Sequence, residues 1–209
     1  MLGSPIRNIG HLPIKTIFLT FDDGPCPGTT DRILRILEKR NAKASFFVIA
    51  DRARQEPKLL SEICSQGHAI GNHSLDHGYS AFFAGRDTIL NWVRRSEDLL
   101  VKLTGAPTVG FRPPAGVRTP KLAWALDELG IPMILWSWRF YDKVLPWTTR
   151  RATGALSKIR GGDIVILHDQ KSVKELPLFL EAMDSFIVQA QQQGFTFAPL
   201  RRDICARSF

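Results

Sequence analysis

The sequence predicts an α/β protein with a parallel sheet and helices packed outside it. Apolar strand patterns alternate with amphipathic helix patterns along the 209 residues, which is typical of parallel βαβ units. The residues able to carry chemistry follow directly after predicted strands, where α/β barrels build their sites. No linker, repeat or low-complexity tract divides the chain, and its length fits one domain.

The strands are predicted from short apolar runs bounded by turn residues. The apolar, β-branched run that ends at Phe21 is typical of a buried strand, and the run from Ile164 to Leu167 is similar. Ala69 and Ile70 begin a shorter one. In chain order, strands are expected over 16–21, 44–48, 69–72, 109–112, 132–137, 163–167 and 195–199.

The helices are predicted from apolar residues that recur every three or four positions. The segment 30–40 places Ile33, Leu34 and Leu37 on one face, and Pro57 opens the next helix at a position that favours proline. The segment 86–104 is the longest, with an inner face that runs from Ile89 to Leu103. In chain order, helices are expected over 30–40, 57–66, 86–104, 120–129, 148–159 and 176–193.

Two adjacent carboxylates, Asp22 and Asp23, follow the first strand and precede a Gly24-Pro25 turn. Adjacent strand residues point to opposite faces, so a turn is needed before both carboxylates address one site. Paired acids repel each other and resist burial. They are tolerated if a cation lies between them or if one accepts a proton. A solvent-exposed Asp-Asp-Gly-Pro turn is the alternative interpretation of this motif when it is taken alone.

Two histidines, His73 and His77, follow the third strand with a spacing of four. On a helical turn this spacing places both imidazoles on one face, where they can hold one metal ion. One carboxylate and two imidazoles form a ligand set with open positions, which suits a catalytic ion. The pair alone is weak evidence, since helices carry such pairs by chance. His168 follows a further apolar strand, and alone it is better explained as a core histidine.

Together these motifs resemble the NodB-type polysaccharide deacetylase family, carbohydrate esterase family 4, from about Ile17 to Leu200. The family motifs occur in order. They are Thr20-Phe21-Asp22-Asp23-Gly24-Pro25, His73-Ser74-Leu75-Asp76-His77, Phe111-Arg112-Pro113-Pro114-Ala115-Gly116, a Trp136-containing strand followed by Asp142, and Leu167-His168-Asp169. The resemblance implies a distorted, incomplete (β/α)7-type barrel, as a single domain over 1–209 with an N-terminal extension over 1–13.

The resemblance also implies an enzyme that hydrolyses an acetamide with the help of a divalent ion. Asp23, His73 and His77 would hold the ion, with Asp22 as general base and His168 as general acid. Zinc suits this mixed ligand set, and cobalt, nickel or iron can also occupy it.

Further residues take supporting roles by the same resemblance. Arg112 would tether Asp22 and fix its orientation, and Asp142 would in turn hold Arg112. The backbone N–H of Ala115 would donate to the oxyanion, and Ile166 would form an aliphatic wall of the pocket. Asp169 would orient His168 or cap the next helix.

The chain departs from the family pattern at three positions. Ala115 replaces an aromatic residue, Arg139 replaces an aspartate and Lys143 replaces a tryptophan. The pocket is therefore expected to be more open and more polar than usual, with Trp138 or Trp147 as candidates for the missing aromatic wall.

The formal net charge of +8 bears on partners. It favours an anionic partner, either a cell-wall polymer as the glycan or an anionic membrane surface, with Lys143 as a cation near the site. Nucleic acid is not expected, because no RNA-binding signature or finger-type cysteine spacing occurs. No transmembrane stretch is expected. Residues 1–11 lack the apolar core of a signal peptide, which predicts either a cytoplasmic protein or an envelope protein without its export signal.

The leading hypothesis is a metal-dependent hydrolase that removes acetyl groups from N-acetylglucosamine units in peptidoglycan or chitin-type oligomers. An O-acetyl esterase acting on a polymer such as xylan is the alternative enzyme. The non-enzyme alternative is a carbohydrate-binding relic, that is, a protein that keeps the fold and binds a glycan without hydrolysing it. The intact Asp22, Asp23 and His168 argue against the relic, and the changes at Ala115, Arg139 and Lys143 argue weakly for it.

Overall fold

A computed structural model describes residues 4–10 and 15–206 of the chain. The strands in this part are β1 Thr16–Asp22, β2 Ala44–Val48, β3 Ala69–Asn72, β4 Trp138–Arg139, β5 Ile164–His168 and β6 Thr196–Phe197. The α-helices are α1 Thr30–Lys39, α2 Ala50–Gln55, α3 Pro57–Ser65, α4 Arg86–Thr104, α5 Pro120–Glu128, α6 Thr149–Gly154, α7 Leu176–Gln192 and α8 Arg202–Ala206.

The strands form one parallel sheet, as the alternating pattern predicted. Its order is β3-β2-β1-β5-β4, and β6 pairs with the start of β1. In the register of β1 with β5, Asp22 lies opposite His168. Both strands therefore end at the same edge of the sheet, and they bring an acid and an imidazole there together.

The sheet curls into an incomplete barrel that single bridges extend beyond β3. Phe111 bridges Asn72 on one side and Met133 on the other. The predicted strands over 109–112 and 132–137 are therefore wrong as continuous strands, since only isolated bridges form there. The fold agrees with the distorted barrel that the motifs imply.

The N-terminal segment 4–10 lies in the gap of this barrel. Ile6 bridges Ile134, and Asn8 bridges Asp163 at the start of β5. Ile9 donates its backbone N–H to the carbonyl of Gly162 at 2.7 Å. Ile6 and Ile9 are both buried. The predicted extension over 1–13 thus includes residues that pack into the barrel, while 1–3 and 11–13 lie outside the described residues.

Strand β1 is buried along its whole length, and its side chains alternate between two environments. Its odd-numbered residues join the core beneath helices such as α1, α3 and α7; they are Ile17, Leu19 and Phe21. Phe18 belongs to a second cluster together with Phe47 and Ile164. Because the side-chain period of a strand is two, Thr20 and Asp22 share the Phe18 side, which is the interior of the barrel. The interior face therefore begins apolar and ends in a carboxylate.

Most predicted helices are present within one or two residues of their expected ends, and 86–104 is matched by α4. Helices α2 and α8 were not predicted, and 148–159 divides into α6 and a short 3₁₀ turn. All three cysteines lie in the described part of the chain and are free. Among the described residues, no helix combines the length and hydropathy needed to span a bilayer.

Candidate active site

The candidate site lies at the carboxyl ends of the parallel strands. Asp22 ends β1, His168 ends β5, and His73 follows β3. These side chains line one cavity of about 210 Å³. Pockets that engulf a drug-sized ligand are larger, on the order of 300–1,000 Å³. The cavity therefore fits a small group better than a whole drug-sized ligand.

A sharp change of backbone direction brings Asp22 and Asp23 into the same cavity, as the turn predicted. Asp23 has a φ of 79°, in the left-handed region. The Arg52 guanidinium donates to its carbonyl oxygen at 2.6 Å. A Cβ at Gly24 would meet the carboxylate of Asp169 at 2.0 Å, so only glycine fits there. The turn therefore requires a glycine at position 24. The carboxylates of Asp22 and Asp23 are both buried.

Asp23, His73 and His77 converge on one point, as expected for a metal site. The Asp23 Oδ1 atom lies 3.3 Å from His73 Nε2 and 3.2 Å from His77 Nε2. The three ligand atoms all lie within 4.8 Å of one another. His73 Nδ1 lies 2.8 Å from the carbonyl oxygen of Arg112, which only accepts, so Nδ1 carries the proton. The Nε2 lone pair is then free for an ion, and the donor set fits a divalent cation.

The two histidines do not lie on a helical turn, and that prediction is wrong. Residues 73–77 form an irregular loop in which Ser74 has a φ of 79° and His77 a φ of 62°. The Ser74 hydroxyl accepts a hydrogen bond from the His77 backbone N–H at 3.0 Å. The loop therefore brings the imidazoles together by a folded path instead of by helical spacing.

Arg112 contacts Asp22 as the resemblance implied. Its Nη1 donates to Asp22 Oδ1 at 2.7 Å and to Thr20 Oγ1 at 2.8 Å. The guanidinium also donates to the carbonyl oxygens of Ile134 and Leu135, and it lies 3.8 Å from the centre of the Phe47 ring. One oxygen of Asp22 is thereby fixed, and Oδ2 lies 3.9 Å from His73 Nε2.

Asp142 does not hold Arg112, and this expectation is wrong. Asp142 Oδ1 instead lies 2.8 Å from His168 Nδ1, and Oδ2 accepts from the His168 backbone N–H at 2.9 Å. Lys171 donates to the same Oδ2 at 2.7 Å. Burial raises the pKa of Asp142, but the contacts with His168 and Lys171 outweigh it and hold the pKa below its usual value. The carboxylate therefore accepts from Nδ1 of His168 and leaves Nε2 for the cavity.

Asp169 neither orients the His168 ring nor caps a following helix. Its Oδ2 accepts from the Thr30 hydroxyl at 2.6 Å, on the first residue of α1. The carboxyl is fully buried, and burial, followed by the charges of Asp23 and Asp22, raises its pKa to about 7. Asp169 thus joins the end of β5 to the start of α1.

The strand pairing decides which residues form the wall of the cavity. Arg139 pairs with Ile166 and Trp138 pairs with Val165, so these two pairs face opposite sides of the sheet. Ile166 lines the cavity as expected, and so does Ala115, which has a φ of 52°. Trp138 packs against the core under the helices, so its expected role in the pocket is wrong.

Trp136 and not Trp147 supplies the aromatic wall. Trp147 is 2% exposed and packs against Phe179 and Phe186 in the core. Trp136 lines the cavity, where its ring approaches Gly116 so closely that a Cβ there would lie 2.8 Å from it. Sequence patterns did not separate these tryptophans, because the irregular segment before β4 has no strand period to count from.

Lys143 lies in the cavity, but its ammonium group is paired with Asp23. Its Nζ donates to Asp23 Oδ2 at 2.5 Å, on the opposite oxygen from the two histidines. Burial raises the pKa of Asp23, but the hydrogen bonds from the two histidines and from Lys143 outweigh it and hold the pKa well below the usual range. Asp23 is thus an ionised carboxylate with Oδ1 turned toward the imidazoles.

A mostly parallel barrel with polar side chains at the carboxyl ends of its strands is typical of α/β enzymes. Similarity to known proteins identifies the family. The polysaccharide deacetylase profile matches residues 10–134, more than half of the chain. The chain therefore belongs to the polysaccharide deacetylase family, carbohydrate esterase family 4, whose enzymes remove acetyl groups from glycans. The match includes Asp22, Asp23, His73, His77 and Arg112 and ends before Asp142 and His168.

Two curated relatives carry names that specify a substrate. The peptidoglycan-N-acetylglucosamine deacetylase of Bacillus cereus is 30% identical over 185 residues, which is 88% of this chain and 85% of the relative. The peptidoglycan-N-acetylglucosamine deacetylase PgdA of Listeria monocytogenes is 30% identical over 190 residues. There the alignment covers 89% of this chain and only 38% of the relative.

Among solved structures, a mutant of a Bacillus anthracis family 4 pseudoenzyme with restored enzymatic activity has a TM-score of 0.82. It is 25% identical, and the superposition covers 94% of this chain and 70% of that one. A pseudoenzyme and its reactivated mutant share one fold, so activity in this fold depends on individual residues.

Proposed function

We propose that the protein is a metal-dependent N-deacetylase acting on N-acetylglucosamine units of a peptidoglycan-type glycan. One observation carries the proposal: Asp23, His73 and His77 converge beside Asp22 and His168 in a single cavity. The names of the two peptidoglycan deacetylases support the substrate class. A chitin-type oligomer offers the same acetamide and is the second glycan to test.

Asp23 Oδ1 and the Nε2 atoms of His73 and His77 would hold the ion. Zinc accepts this combination of one carboxylate and two imidazoles, as do cobalt, nickel and iron. When bound, a divalent ion supplies Lewis acidity, which lowers the pKa of a water and polarises a carbonyl group. Lys143 occupies the other oxygen of Asp23 and leaves Oδ1 available.

Asp22 is the proposed general base. It is buried beside the ligand triad without belonging to it, and Arg112 fixes one of its oxygens. The remaining Oδ2 accepts the proton that the attacking water loses. Arg112 is a positioning residue, since its guanidinium contacts Asp22 and backbone carbonyls.

His168 is the proposed general acid. The hydrogen bond from Nδ1 to Asp142 sets the tautomer and fixes the orientation of the ring. Its Nε2 would then give a proton to the nitrogen of the leaving sugar amine as the C–N bond breaks. Asp142, itself held by Lys171, positions this ring.

The acetyl group is proposed to bind between Ala115, Ile166 and Trp136. The backbone N–H of Ala115 would donate to the oxyanion, a function that does not depend on the side chain. Ile166 and the Trp136 ring would surround the methyl group. With alanine in place of an aromatic residue, the cavity is open on this side.

Acetate release tests the proposal directly. The zinc-loaded protein is expected to release acetate from peptide-free, N-acetylated peptidoglycan fragments or from chitin oligomers. Removal of the zinc by a chelator should abolish this release. Acetate released only from acetylated xylan would identify an O-acetyl esterase instead. No release from any of these glycans, with the ion bound, would favour the carbohydrate-binding relic and contradict the proposal.

A further inference from the structure

Arg139 is a cationic group on the cavity wall that the proposed chemistry leaves unused. Its guanidinium carbon lies 4.8 Å from the centre of the Tyr141 ring and 5.4 Å from that of Trp136. Its Nε atom is buried and has no hydrogen-bond partner among the described residues. The guanidinium is therefore within cation–π distance of two aromatic rings, while its Nε lacks an acceptor.

Two other cations near this site are already paired: Lys143 lines the cavity, and Arg112 is fully buried. Lys143 is bound to Asp23, and Arg112 divides its donors between Asp22, Thr20 and two carbonyl groups. Within the part of the chain that the structure describes, Arg139 forms no ion pair. The sequence suggested Lys143 as the cation that attracts an anionic glycan. Because Lys143 is paired with Asp23, Arg139 is the better candidate for that role.

We propose that Arg139 determines specificity by binding a carboxylate on the glycan, next to the sugar that is deacetylated. This inference rests on the proposed function and names the substrate feature that the site selects. In a polymer of alternating N-acetylglucosamine and lactyl-substituted sugars, the lactyl group of the neighbouring residue supplies such a carboxylate. A neutral chitin-type oligomer has no group for this position.

A carboxylate fits Arg139 better than a neutral hydroxyl does. The planar fork of a guanidinium matches the two oxygens of a carboxylate in a bidentate contact. The contacts with Tyr141 and Trp136 restrict the side chain before binding, so less rotamer freedom is lost when a ligand binds. The pairing of Arg139 with Ile166 places it on the same face of the sheet as the proposed acetyl pocket.

The experiment compares fragments that differ in one group. Peptide-free tetrasaccharides with free lactyl carboxylates are matched with the same fragments carrying primary amides, and kcat/KM for acetate release is measured. The zinc-loaded wild type is expected to favour the carboxylate form on the order of tenfold. In Arg139→Gln this ratio should fall toward one, and Arg139→Lys should retain part of it. Arg94→Gln, an exposed change on α4 with the same loss of charge, should keep the wild-type ratio.

A wild-type ratio near one, or an unchanged ratio in Arg139→Gln, would overturn the inference. Release of no acetate from any fragment would overturn the proposed function instead. In that case calorimetry measures the binding of the carboxylate and amide fragments to Asp22→Asn, whose turnover is suppressed. The two dissociation constants test the role of Arg139 independently of catalysis. Equal dissociation constants for the carboxylate and amide fragments would refute it, and tighter binding of the carboxylate that disappears on adding Arg139→Gln would support it.

Discussion

Arg112 organises the site at the scale of single residues. Among the described residues it is the largest side chain that is fully buried. Burial lowers the pKa of its guanidinium, and the charge of Asp22 opposes that shift. A buried cation is tolerated only when it is paired and hydrogen-bonded. Here Asp22, Thr20 and backbone carbonyls meet that requirement. The same contacts fix the proposed base, so stability and positioning depend on one guanidinium.

Replacing Asp22 by asparagine tests the proposed base. Asp22→Asn keeps an acceptor for Arg112 but cannot take a proton, so kcat is expected to fall by ~10²–10⁴-fold. The zinc content should be unchanged, because Asp22 lies outside the ligand triad. Asp98→Asn, an exposed change on α4, is the matched control. Turnover near that of the wild type with full metal content would place the base elsewhere.

Single-residue predictions from the sequence succeeded where a motif alone fixes the geometry. The convergence of Asp23, His73 and His77, and the Arg112–Asp22 contact, followed from residue types and order. The partner of Asp142 and the place of Trp138 did not. A strand that slips by one residue exchanges its two faces, and the two-residue β4 gives too short a pattern to count from.

At the scale of elements, the segments around Phe111 and Ile134 show why two predicted strands are absent. Pro113 and Pro114 have no N–H to donate to a ladder. The Arg112 guanidinium takes the carbonyl oxygens of Ile134 and Leu135. Both segments have the apolar pattern of strands. The carbonyl oxygens of Ile134 and Leu135, however, accept from the Arg112 side chain instead of from a neighbouring strand. Local sequence cannot reveal such long-range competition.

His68 couples strands β2 and β3 and should make stability depend on pH. Its Nδ1 accepts from the Ala44 backbone N–H at 3.1 Å, and burial lowers its pKa to about 4. The unfolded chain takes up a proton near pH 6.5, whereas the folded chain resists it. Stability is therefore present above pH 6.5 and is lost as the pH falls toward 4.

Urea unfolding of wild type and His68→Asn between pH 7 and 4 measures this loss. The asparagine retains an acceptor for Ala44 and does not titrate, so the decrease in unfolding free energy should be smaller in the variant. Parallel decreases in the two proteins would show that His68 is not the group responsible.

At the scale of the whole molecule, the ligand triad connects two loops that follow different strands. An ion that binds only the folded chain stabilises it by about 2.7 kcal/mol at a hundredfold excess over Kd. For a chain of this size that predicts a rise in Tm of roughly 5–10 °C. Zinc should produce the rise in the wild type and in His68→Asn but not in His77→Ala. An equal rise in His77→Ala would place the ion elsewhere.

Segment 4–10 can pack into the barrel only after residues far along the chain have been made. Asn8 donates to Asp163 at 2.6 Å across 155 positions of sequence. During synthesis from the amino terminus, Ile6 and Ile9 leave the ribosome long before Ile134, Gly162 and Asp163 exist to receive them. Contacts of such high sequence separation form slowly, because loop closure precedes their stabilisation. Segment 4–10 is therefore expected to stay exposed until these residues have been made and to fill the gap of the barrel among its last contacts, a stage at which exposed apolar chain is prone to aggregate.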